Sequence, residues 1–147
     1  MESEKRILVV DDDDAIRALL STVLRRRGQK VDTARNGVEA LERLQACRYS
    51  LVLLDLMMPR MNGYDVMARL AEEPSHARPI VIVLTAGSEP RALDPALVSA
   101  LVRKPFDIGL LLDTLSGALA TCPPQEQSPQ CPPDGGEPVP GSTREPN

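Results

Sequence analysis

Short apolar runs of strand length alternate along the chain with segments whose apolar residues recur at helical spacing. The runs are Ile7-Leu8-Val9-Val10, Leu51-Val52-Leu53-Leu54, Ile80-Val81-Ile82-Val83-Leu84 and Ala100-Leu101-Val102-Arg103. The second and third have no polar interruption, which predicts strands buried on both faces, as in the middle of a parallel sheet. A shorter strand is predicted over Lys30–Ala34. Between the strands, Ala15, Ile16, Leu19, Leu20, Val23 and Leu24 fall on one helical face. Val38, Ala40, Leu41 and Leu44 do so behind the turn Asn36-Gly37, and Val66, Met67 and Leu70 behind Asn62-Gly63. A last amphipathic helix is predicted over residues 107–120. Residues 87–99 are the weakest helix candidate, because Pro90 and Pro95 interrupt them. Asp13 or Asp14 is expected to cap the first helix, and Arg25-Arg26-Arg27-Gly28 to end it. Five strands alternating with helices predict an α/β protein with a doubly wound parallel sheet and right-handed crossovers.

The polar residues that end these runs carry the chemistry. The first run leads into Asp11-Asp12, the second into Asp55, the third into Thr85 and the fourth into Lys104-Pro105. The carboxyl ends of parallel strands share one edge, and ligands bind there. The pattern therefore brings three carboxylates, a hydroxyl and an ammonium together, a set suited to a divalent cation and a phosphoryl group. Taken alone, the Asp run at 11–14 also fits a solvated helix start and Thr85 an ordinary strand end. Lys104 alone fits a surface lysine.

Composition narrows the classes. A chain of 147 residues accommodates one domain with a full core. Its net charge is -4, and aromatics make up 2% with no Trp, which argues against direct contact with nucleic acid and against base stacking. Cys47, Cys122 and Cys131 have neither CxxC spacing nor a neighbouring His, so reduced thiols are expected. No run has the length to insert in a membrane, and the charged start lacks a signal-peptide pattern, so a cytoplasmic protein is expected. From Thr121 the composition changes: eight of the fourteen Pro residues lie beyond it, with one large aliphatic residue, Val139. Residues 121–147 are expected to be a Pro-rich disordered tail after a domain over residues 1–120, with no output domain following.

Four motifs carry a resemblance. Ile7-Leu8-Val9-Val10-Asp11-Asp12-Asp13, the stretch from Leu53-Leu54-Asp55 through Met57-Met58-Pro59 to Asn62-Gly63, Val83-Leu84-Thr85-Ala86, and Lys104-Pro105-Phe106 occur in order. Together they resemble the receiver domain of two-component response regulators, of the single-domain, chemotaxis-regulator-like type. The resemblance implies a flavodoxin-like sheet in the order 2-1-3-4-5. It implies that Asp55 is the phosphoacceptor, and that Asp11, Asp12, Asp55 and the backbone carbonyl of Met57 hold Mg2+, or Mn2+ in its place. Thr85, Ala86 and Lys104 would bind the phosphoryl group. The donor would be a histidine kinase or phosphotransfer protein, and the output a protein–protein contact with an unidentified downstream partner. The lone His76 is expected to be a bystander, so the phosphoryl group comes from outside the chain.

The sequence departs from the family at Leu101, where an aromatic switch residue usually stands, and in the shortened segment between Thr85 and Lys104. A short or irregular fourth helix is expected there. Two alternatives stay open: a scaffold that keeps the fold without using phosphorylation, and an aspartyl-nucleophile phosphatase. The second would need an acid/base Asp where Met57 stands. The favoured reading is a phosphoacceptor that turns over no separate substrate.

Overall fold

The computed structural model describes residues 6–56, 58, 62–74, 78–85, 97–104 and 106–120. Five strands, β1 (Arg6–Val10), β2 (Lys30–Ala34), β3 (Leu51–Asp55), β4 (Ile80–Thr85) and β5 (Val98–Arg103), form one parallel sheet. Their order is β2-β1-β3-β4-β5, as expected. The described residues also form α1 (Asp14–Arg26), α2 (Gly37–Ala46), α3 (Gly63–Leu70) and α4 (Ile108–Ala120).

The side-chain period of two along each strand divides the core into two layers. Leu8, Val10, Val52, Leu54, Val81 and Val83 face one way and pack with Val66, Met67 and Leu70 of α3 and Ala40 of α2. Ile7, Val9, Leu51, Leu53, Ile82 and Leu84 face the other way, against Leu20 and Leu24 of α1 and Leu111, Leu115 and Leu119 of α4. Every residue of β3 is buried, which is why its sequence lacks the alternation of a one-sided strand. β5, at the edge of the sheet, alternates between half-buried and exposed positions.

Short polar residues start the helices where the sequence placed them. Asp13 is the cap of α1, its carboxylate accepting from the N–H groups of Ala15 and Ile16 at 2.9 and 3.2 Å. Asn36 accepts from Glu39 N–H at 2.9 Å and Asn62 from Asp65 N–H at 3.1 Å. Asp107 accepts from Gly109 and Leu110 at 2.7 and 3.2 Å, just ahead of α4. Gly28 takes φ +86° beyond the end of α1, a region L side chains disfavour.

Three features correct or extend the sequence reading. The strand pairing reaches back to Val98, so the last two residues of the weak helix candidate at 87–99 belong to β5. Residues 87–96, where the irregular fourth helix is expected, lie outside the described residues, as do His76 and the Pro-rich tail. Cys47 is disulfide-bonded, against the expectation of reduced thiols. Spacing along the chain carries no information on which sulfurs meet in space. In the amino half of the sheet, Arg6 pairs with Asp32 at 3.2 Å and Tyr49 donates to the same carboxylate at 2.5 Å, all three being buried. Burial, reinforced by that hydrogen bond, pushes the Tyr49 phenol far above its usual range.

Candidate functional site

Asp11 follows directly on β1, Asp55 is the last residue of β3, Thr85 the last of β4, and Lys104 follows β5. Since β1, β3, β4 and β5 are consecutive neighbours in the sheet, the four positions share its carboxyl edge. Backbone bonds fix their relative height. Asp11 N–H donates to Ala34 C=O at 3.2 Å, Leu56 N–H to Leu84 C=O at 3.3 Å and Lys104 N–H to Thr85 C=O at 2.7 Å.

Asp11, Asp12 and Asp55 each present a carboxylate oxygen, and these lie within 4.8 Å of one another. Asp11 and Asp55 are buried while Asp12 is exposed, so the cluster is walled by protein and open on one side. Carboxylates brought this close repel unless a cation sits among them. Lys104 supplies one: its Nζ is 3.1 Å from Asp11 Oδ2 and 3.5 Å from Asp55 Oδ2. Burial alone would lower the Lys104 pKa. The ion pairs with Asp11 and Asp55 outweigh it and leave the ammonium above its usual range. The other oxygen of Asp11, Oδ1, accepts from Asp13 N–H at 2.9 Å. An all-oxygen donor set with one exposed member fits a hard divalent cation that keeps part of its water shell.

Two residues the sequence reading left aside shape this edge. Arg17, on the first turns of α1, donates from Nη1 to the carbonyl of Asp11 at 2.8 Å and pairs with Asp14 through Nη2. A lone Arg in an amphipathic helix reads as a solvated residue, so sequence offered no signal for this contact. Gly63 opens α3 directly against the backbone at the end of β3: its N–H donates to Leu56 C=O at 3.0 Å. A Cβ there would stand 2.7 Å from Asp55 O and 2.9 Å from Leu56 Cα, so only glycine permits the approach. Asn62-Gly63 was legible as a helix start, but not as a contact to Asp55.

Thr85 ends β4 at the same edge and is buried. Leu101 lies on β5 and is among the exposed large hydrophobic side chains, at 38%. Met57 and Ala86, expected to contribute a carbonyl ligand and a phosphoryl contact, lie outside the described residues.

Fold and site together define a doubly wound α/β protein with an acidic, cation-ready pocket at the carboxyl edge of its sheet. The profile of the response regulator receiver domain matches residues 7–116, and the chain belongs to that family. It is 36% identical to the response regulator protein TrrA of Thermotoga maritima, solved in complex with Mg2+-BeF, with a TM-score of 0.69 over 78% of this chain and 98% of that one. The chemotaxis response regulator CheY4 of Vibrio cholerae matches with a TM-score of 0.70 and 28% identity, over 79% of this chain and 99% of that one. Among curated relatives, the transcriptional regulatory protein ResD of Bacillus subtilis (strain 168) is 41% identical over 59% of this chain and 35% of its own length. The match thus spans about a third of that relative. No helix among the described residues is long and apolar enough to cross a membrane.

Proposed function

We propose that the chain is a phosphoacceptor switch in which Asp55 takes a phosphoryl group from a histidine kinase or phosphotransfer protein. The observation that carries this reading is the convergence of Asp11, Asp12 and Asp55 within 4.8 Å beside the Lys104 ammonium. Asp11, Asp12, Asp55 and the Met57 carbonyl would hold Mg2+, or Mn2+, whose charge would offset that of the phosphoryl oxygens. The donor class is supported by TrrA, which has also been solved in complex with the histidine kinase ThkA.

A carboxylate oxygen of Asp55 attacks phosphorus in line with the leaving group. The new bond is the P–O bond of an acyl phosphate; the bond to the donor's imidazole nitrogen, or to acetate in a small donor, breaks. Lys104 already bridges Asp11 and Asp55, so its ammonium is placed to exchange a carboxylate for a phosphoryl oxygen without leaving the pocket. Thr85 ends the neighbouring strand, where its hydroxyl serves as a donor to the added group. A dianionic phosphoryl group in place of a single carboxylate charge at one strand end biases the contacts of β4 and β5, which changes affinity for a downstream protein. The reaction is a single loading event on the chain's own residue, with no separate substrate turned over. The domain occupies residues 1–120, the expected tail at 121–147 lies outside the described residues, and output runs through protein contacts rather than nucleic acid.

The test is intact mass spectrometry after incubation with Mg2+ and acetyl phosphate. The wild-type chain is expected to gain one phosphoryl group, not to gain it when Mg2+ is chelated beforehand, and Asp55→Asn is expected to gain none. An adduct that survives Asp55→Asn would refute the assignment. Binding of Mg2+ with no adduct from any donor would leave the scaffold reading in its place.

A further inference from the structure

The Asp11–Asp14 turn presents Asp12 to the other two carboxylates, and the structure shows what holds it. Asp11 N–H is tied to β2 through Ala34 C=O, Asp13 N–H to Asp11 Oδ1, and Arg17 N–H to Asp13 C=O at 2.9 Å. The peptide joining Asp11 to Asp12 is fixed differently. Its carbonyl oxygen accepts from Arg17 Nη1 at 2.8 Å. A peptide is planar, so fixing the direction of that C=O also fixes the N–H and Cα of Asp12. The second arm of the same guanidinium pairs with Asp14, so one rigid fork spans the turn from end to end. Asp14 is 86% exposed and that ion pair alone contributes little, but the Arg17 side chain is only 13% exposed, so its bond to the carbonyl is sheltered from water.

We propose that Arg17 is a positioning residue for the cation site, holding the Asp11–Asp12 peptide so that the Asp12 carboxylate meets Asp11 and Asp55. The proposal rests on the reading of those three carboxylates as a divalent-cation site. It makes a prediction whose sign separates it from simple electrostatics. As a point charge, a guanidinium near the pocket opposes a divalent cation, so its removal would tighten binding. As a positioning group its removal weakens binding, because Asp12 is no longer pre-placed. Groups that orient metal ligands from behind typically account for 10–100-fold in affinity, and an effect of about 10-fold is expected here.

The experiment is an Mg2+ titration of the full chain followed by backbone amide NMR, on wild type, Arg17→Ala and Arg17→Lys, with hydrogen exchange recorded before metal is added. Arg17→Ala is expected to raise the Mg2+ Kd about 10-fold and to speed exchange at the Asp12 and Asp13 amides, while the amides of β1 and β3 stay protected. Arg17→Lys keeps the charge but loses the fork, so it is expected to weaken binding by a smaller factor. Unchanged or tighter binding in Arg17→Ala, with wild-type binding intact, would overturn the positioning role alone. If wild type binds no Mg2+, the cation-site reading falls and this proposal falls with it. Should Arg17→Ala fail to fold, Arg17→Lys decides: binding equal to wild type contradicts the proposal.

Discussion

At the scale of single residues, Lys104 has the widest influence on the pocket. It is the cation that makes the pairing of Asp11 with Asp55 tolerable when no metal is bound. Its pKa lies above the ordinary 10.5, so the stability it confers is complete below that value and fades only as pH rises past the folded-state pKa. Through the neutral range the ammonium stays charged and the contribution is flat. Lys104→Met leaves two buried carboxylates facing each other. A loss of roughly 1–3 kcal/mol is expected in metal-free buffer, below the figure for a fully buried pair because the lysine keeps some solvent contact. Added Mg2+ is expected to restore more stability to this variant than to wild type, since it replaces the missing charge. Urea unfolding with and without Mg2+ checks both points; an unchanged midpoint in metal-free buffer would contradict the role given to Lys104. The meeting of Asp11, Asp12, Asp55, Thr85 and Lys104 at one edge was legible from sequence because each follows an apolar run; each alone has an ordinary structural reading, and only the set points to a site. Arg17 and Asp32 were not legible. Each sits among residues that read as a solvated face, and only the register of β1 on β2 brings Arg6 within reach of Asp32.

At the scale of elements, the contact between α3 and β3 couples the helix start to the strand end that carries Asp55. The Gly63 Cα approaches the Asp55–Leu56 backbone so closely that an added methyl would overlap the Asp55 carbonyl at 2.7 Å. Gly63→Ala must move either the start of α3 or the strand end that carries Asp55. The expected cost is about 1–3 kcal/mol, as for other overpacked sites, together with slower uptake of a phosphoryl group from acetyl phosphate. Equal uptake and equal stability would show that the helix start gives way freely. The strands and the four described helices were legible because buried parallel strands and amphipathic helices write different periods into the chain. The start of β5 was not. Val98 and Ser99 precede its apolar run, and they become strand because β4 offers a free edge with Val81 opposite Val98. Asn36 and Asn62 marked their helices because a short amide side chain satisfies N–H groups that the helix leaves open.

At the scale of the whole molecule, chemistry is confined to one edge of the sheet. The carboxyl edge carries the acidic pocket, while the amino half holds the buried Arg6–Asp32–Tyr49 network, away from that edge. That division follows from parallel topology: all five strands deliver their carboxyl ends to the same side. Strand order itself was legible only through the family resemblance, because periodicity predicts strands without saying which pair. On the proposed reading, this edge exists to load Asp55. The most direct test of that reading is to trap the loaded chain with borohydride, which reduces an acyl phosphate to an alcohol, and to map the product by peptide mass spectrometry. After exposure to Mg2+ and acetyl phosphate, homoserine is expected at position 55 and nowhere else. Homoserine at position 11 or 12, or none at all from a chain that carries a phosphoryl group, would contradict the account.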